Sequence, residues 1–149
     1  MTKMTAKFPG SCKVCGNPIA RGQEILWSRE HGAINPECLP RLQSRLEERR
    51  EQRTRMASLA RQEAERLVQQ VKAQGIQVIL VTTRGMIEVS REKLVNHVAE
   101  LLCKKAEELD LDPVAAVQLA AQGASERLSR VNEPQLHVAE LRNYISHSA

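Results

Sequence analysis

The chain has 149 residues, room for one domain or for two very small ones joined by a linker, and too few for a large multidomain enzyme. Leu, Ile, Val and Phe together number 36, about 24% of the chain, which excludes wholesale disorder, while the only aromatics, Phe8, Trp27 and Tyr144, exclude a table of stacked rings for single-stranded nucleic acid. The net charge of +4 permits a polyanionic partner without demanding one, and it is uneven: +2 over residues 1–40, +4 over 41–74 and −2 over 75–149.

No run of about 18 apolar residues occurs, and Met1 to Phe8 carries Lys3 and Lys7 with no apolar stretch behind them, so the sequence reads as soluble, unexported and cytoplasmic, with no membrane partner. Residues 1–40 hold four of the six prolines and four of the seven glycines, the mark of a loop-rich unit with short strands. Gly22 to Trp27 reads as a strand, His31-Gly32 as a turn, and Ala33-Ile34 as a short return strand. Pro36 and Glu37 suit the first turn of a helix.

From Arg41 to Gln74 there is neither Gly nor Pro, and the Arg, Glu, Gln and Ala that fill the segment lose little on entering a helix. Leu39, Leu42 and Leu46 begin an apolar stripe, Glu47 to Arg55 interrupts it, and Met56, Leu59, Leu67, Val68 and Val71 resume it. The sequence therefore predicts one long helix whose ends pack and whose middle is a solvated rod, helped by i,i+4 pairs such as Glu51 with Arg55. Gly75 ends it.

Ile76 to Thr82 and Met86 to Val89 predict a β-hairpin around Thr83, Arg84 and Gly85, with its apolar face covered by the helices that follow. Ser90 caps a helix with the stripe Leu94, Val98, Leu101, Leu102, Ala106 and Leu109. Asp112 and Pro113 open the next, which carries Val114, Val117, Ala121, Leu128 and Val131 as far as the break at Pro134. Gly123 hints at a helix-turn-helix, but the apolar residues after it fit that motif poorly, and a bend or a continuous helix is the simpler reading. A final helix is expected to hold Leu136, Leu141, Tyr144 and Ile145. Since 23 of the 36 large apolar residues lie in 76–149, the main core is expected there.

The chemistry is concentrated at the N-terminus. Cysteines stand at 12, 15, 38 and 103, and three of them in the first 38 residues, spaced unlike a disulfide framework, indicate a reducing compartment and a metal. Cys12-Lys13-Val14-Cys15-Gly16 is a knuckle, two thiolates at i and i+3 around a tight turn, and Cys38 adds a third. Soft thiolates select Zn²⁺ over hard cations, and a structural Zn²⁺ takes four ligands in a tetrahedron.

Knuckle, β-hairpin, then a helix whose first turn holds the final ligand: over residues 8–42 this order resembles a treble-clef zinc finger. It is similar to the small fingers of bacterial and phage proteins and, more distantly, to the poly(ADP-ribose) polymerase type, which end in His-x-x-Cys. The resemblance implies DNA-binding or protein-contact roles. It departs at Asn35-Pro36-Glu37-Cys38, where Asn35 stands in place of the histidine. Two readings of the fourth ligand follow. Either His31 serves through a rearranged loop, although at the hairpin tip it would lie roughly 10 Å from the metal, or Asn35, water or a partner group completes the site. The fold class is thus mainly α with small β elements: an N-terminal treble-clef-like zinc finger over 1–40, a long basic linker helix over 41–75, and a C-terminal β-hairpin plus helical domain over 76–149.

A catalytic zinc also keeps an open position, but neither a His-x-Glu with a paired Cys-x-x-Cys nor a His-Glu-x-x-His occurs, and Glu24, Glu30 and Glu37 are bases only by proximity. A zinc that staples a unit too small for its own core is the simpler reading, and no enzyme is expected. Arg41, Arg45, Arg49 and Arg53 recur at i,i+4 and would form a phosphate-binding stripe, the alternative being a solvated helix of interleaved charges. His97 and Cys103 face different ways on one helix, so Cys103 reads as a small buried hydrophobe, and Glu107, Glu108, Asp110 and Asp112 as surface and cap. The sequence therefore predicts a zinc-containing accessory protein that binds DNA or another nucleic acid, with a protein partner for the helical domain. The alternative is a protein-interaction adapter.

Overall fold

The structure, a computed structural model, describes residues 1–83 and 85–146; Arg84, in the expected hairpin turn, lies outside the described residues. The chain divides into two compact units, Met1–Glu51 and Gln52–Ala149. The boundary falls inside the long helix α1 (Leu39–Ala73), so its two halves belong to different units.

In the first unit, β1 (Thr2–Thr5) pairs antiparallel with β4 (Glu24–Ser28), which pairs with β5 (Gly32–Ile34). Between them β2 (Gly10–Ser11) and β3 (Pro18–Ile19) form a two-residue ladder that brackets the cysteine knuckle. Pro36–Cys38 makes a 3₁₀ turn, and α1 begins at the next residue, so Pro36 and Glu37 start this turn rather than the long helix itself. The unit's core is small: Ala6, Ile19, Ile25 and Ile34 close around Cys12 and Cys38, with Val14 and Leu42 at its margin. Phe8 and Trp27, the unit's two aromatics, are 80% and 45% exposed and add little.

Residues 43–55 of α1 are exposed at every position, Leu46 among them, and burial resumes at Met56, Leu59 and Ala60. The packed N-terminal part of the stripe thus stops at Leu42 rather than at Leu46, because the small first core does not reach a further turn along the helix. Gly75 ends the helix with a positive φ of 75°, its N–H donating to the Lys72 carbonyl while Ile76 N–H reaches back to Val71. Those two bonds satisfy the Val71 and Lys72 carbonyls in the last turn, and a left-handed residue is needed to make both.

The second unit carries a three-stranded sheet in the order β7-β6-β8, formed by β6 (Gln77–Thr82), β7 (Gly85–Glu88) and β8 (Gln135–His137). Helices α2 (Arg91–Glu108), α3 (Pro113–Leu128) and α4 (Val138–Ser146) complete it. Leu136 therefore belongs to a strand, parallel to β6 with Val78 opposite, and not to the final helix. Three residues carry too little periodicity for this to be read locally. Helix α3 runs unbroken through Gly123, and Arg127 lies over that glycine, where a Cβ would stand 3.2 Å from its guanidinium. From there Arg127 donates to the Tyr144 and Ile145 carbonyls at the end of α4, at 2.6 and 3.4 Å.

The core unites Leu67, Val68 and Val71 of α1 with Leu94, Val98, Leu101 and Leu102, with Val117 and Leu128, and with Leu141 and Ile145. Buried alanines at 60, 64, 116, 120, 121 and 124 allow close helix approach. Gln70 ties α1 to α3 by accepting from the Ser125 hydroxyl at 2.7 Å and donating to its carbonyl at 3.0 Å. The hairpin is covered only in part. Gln77 and Val78 of β6 pair with β8, Ile79 pairs on both sides, and 80–82 pair with β7 alone; Leu80, Val81, Met86 and Ile87 stay exposed.

Candidate metal centre

The three N-terminal cysteines come together. The Sγ atoms of Cys12, Cys15 and Cys38 all lie within 4.8 Å of one another, a group that could hold a metal ion. Local geometry puts them there. Gly16, with φ at 78°, lets the chain double back so that its N–H donates to the Cys12 carbonyl at 2.9 Å, and Cys12 N–H donates to Asn17 at 2.8 Å. Lys13 N–H donates to Ala33 of β5 at 3.0 Å, docking the knuckle on the hairpin. Cys38 arrives from the 3₁₀ turn, its N–H donating to the Asn35 carbonyl at 2.9 Å.

Asn35 is the buried polar residue of the described chain, and it touches all three cysteines. Its backbone N–H donates to Cys12 Sγ at 3.4 Å, its carbonyl accepts from Cys38 N–H, and its side-chain Nδ2 faces Cys15 Sγ at 4.0 Å. Cys12 Sγ also accepts from Val14 N–H at 3.5 Å. N–H donors aimed at sulfur are the outer-shell pattern that stabilises thiolate ligands.

The electrostatics agree. Burial pushes the Cys12 thiol up, but backbone N–H donation from Asn35, Cys15 and Val14 outweighs it and brings the thiol down to about 7. Cys38 is pushed up to about 12, by the adjacent Cys15 sulfur first, then by burial and by Cys12. Three sulfurs this close do not all ionise unless a cation joins them.

His31 stands outside the three-cysteine group. Its N–H donates to Ser28 Oγ at 3.1 Å in the turn between β4 and β5, and its Nε2 lies 3.8 Å from exposed Glu30. Cys103 is far along the chain on α2, partly buried, and raised by burial and then by Glu107 and Glu100, so its thiol is poorly suited to nucleophilic work.

Arg41, Arg45, Arg49 and Arg53 all lie exposed on α1, the first three in the first unit and Arg53 in the second. None of the four makes an ion pair among the described residues, whereas further along Arg61 pairs with Glu65 at 3.7 Å and Arg66 with Glu63 at 3.4 Å. Among the described residues no helix is long and apolar enough to cross a membrane. Comparison of the chain with family models, with curated proteins and with solved structures yields no match.

Proposed function

We propose that the chain is a zinc-binding accessory protein that contacts nucleic acid through its first unit. Three thiolates in mutual reach suit Zn²⁺ by softness and tetrahedral preference. The order of knuckle, β4–β5 hairpin and Cys38 immediately before a helix supports reading the unit as a treble-clef zinc finger. The metal's role is structural: a unit with only Ile19, Ile25 and Ile34 as fully buried large aliphatics gains from an ion what it lacks in buried surface.

The observation that carries the nucleic-acid reading is the set Arg41, Arg45 and Arg49, exposed, one turn apart, and without carboxylate partners beside them among the described residues. A guanidinium left unpaired in this way is available to a phosphate, which it holds by two parallel hydrogen bonds. The shortage of aromatics fits backbone contact rather than base stacking. The test is a salt titration of binding to duplex and single-stranded DNA. Replacing all three arginines with Glu should weaken binding at low salt and reduce the slope of log affinity against log salt on duplex by about 2.7, three phosphate contacts' worth. Binding indifferent to those charges, or absent at low salt, overturns the reading.

A second reading, a protein-interaction adapter, is favoured by one feature of the second unit: Leu80, Val81, Met86 and Ile87 stand exposed on the β6–β7 hairpin.

A further inference from the structure

The fourth coordination position can be read from the direction of a hydrogen-bond relay beside the cysteines. Ala20 N–H donates to Gln23 Oε1 at 2.9 Å, Gln23 Nε2 donates to Asn35 Oδ1 at 3.1 Å, and Asn35 Nδ2 points at Cys15 Sγ. A backbone N–H can only donate, so the Gln23 oxygen must face it and the Gln23 amide nitrogen must face Asn35. Asn35 must in turn answer with its oxygen. That leaves the Asn35 nitrogen directed at the sulfur, and an amide nitrogen, whose lone pair is delocalised and whose hydrogens point outward, donates to a thiolate but does not ligate a metal.

We infer that this chain supplies only three metal ligands, Cys12, Cys15 and Cys38, that Asn35 is a positioning donor locked by Gln23, and that a small exogenous ligand completes the ion's coordination. The inference rests on the zinc reading above. It separates Asn35 from the ligand role that its place in the sequence suggests. The carboxamide's oxygen is engaged by Gln23, and turning it toward the metal would set two N–H donors, those of half-buried Gln23 and buried Asn35, against each other. The position is accordingly open to an imidazole, a carboxylate or another donor group of a bound partner, or to water when none is present.

The experiment uses the full chain, first analysed for zinc content and then loaded with Co²⁺, whose visible bands report coordination. Imidazole added to Co²⁺-loaded wild type should shift those bands, and His31→Ala should behave as wild type does. Asn35→His should show, without imidazole, the bands that wild type reaches at saturation, and should not respond further. Asn35→Ala should keep one metal per chain and the imidazole response, with metal affinity about ten- to a hundred-fold weaker, the usual loss for an outer-shell partner. Gln23→Glu accepts from Ala20 but cannot donate to Asn35, so it should turn the Asn35 oxygen inward and weaken the response. A loaded wild type insensitive to imidazole, a His31→Ala protein with altered bands, or an unchanged response in Gln23→Glu overturns the inference while the zinc reading stands. A chain that binds neither metal stoichiometrically overturns both.

Discussion

The two units bury apolar side chains on very different scales. The first closes Ala6 and three isoleucines around two cysteines and leaves its only Phe in solvent and its only Trp about half exposed. The second buries Leu and Val side chains from three helices against the C-terminal half of α1 and, through Val78 and Leu136, against its sheet. At about 25 cal/mol per Å² of apolar surface, a core of a few side chains does little against the entropy of ordering some fifty residues, whereas a structural metal adds its binding energy directly to folding. On the proposed zinc reading, an ion in the first unit and apolar stripes in the second are two solutions to one deficit, and the boundary between them falls within α1.

The largest effect expected from this contrast is selective unfolding. Chelation, or Cys12→Ser, should abolish amide-exchange protection across β1, β4 and β5 while leaving the second unit folded, since apparent zinc-binding energies of roughly 10–16 kcal/mol exceed anything the small core can replace. Protection that survives metal removal would erase the distinction. The converse variant, Leu102→Ala, removes a fully buried side chain and should cost about 2–5 kcal/mol in chemical denaturation of the second unit, with the first unit's zinc content unchanged. Smallest is Asp112→Ala. The Asp112 carboxylate accepts from Val114 and Ala115 N–H at 3.1 and 3.3 Å at an exposed helix start, so its loss should cost about 1 kcal/mol in the same denaturation experiment.

Some of this was legible without coordinates. The absence of Gly and Pro between Arg41 and Gln74 announced the long helix, Gly75 its end, and Asp112-Pro113 the start of α3. The Cys12–Cys15 spacing with Cys38 announced the cluster of three cysteines that could hold a metal. Other features were hidden for identifiable reasons. Strand β1 holds Thr2, Lys3, Met4 and Thr5, exposed at every position, so it has no apolar alternation and exists because β4 lies beside it. Ser90 occupies the cap position of α2 but makes no side-chain cap bond, which composition cannot reveal. Arg127 reads as one more surface charge until the end of α4 is brought within reach of it.

Residue chemistry and local spacing by themselves determined where this chain concentrates cysteines, where it runs as helix and where it places its arginines. Each of those depends on neighbours a few residues away. Only the tertiary structure decided that Leu136 lies in a strand, that half of the β6–β7 hairpin stays uncovered, and that Asn35 turns a nitrogen rather than an oxygen toward Cys15. These depend on partners distant in the sequence. A parallel strand pair, an extended hairpin and a relay of amides acquire direction only when the segments that satisfy them have been assembled.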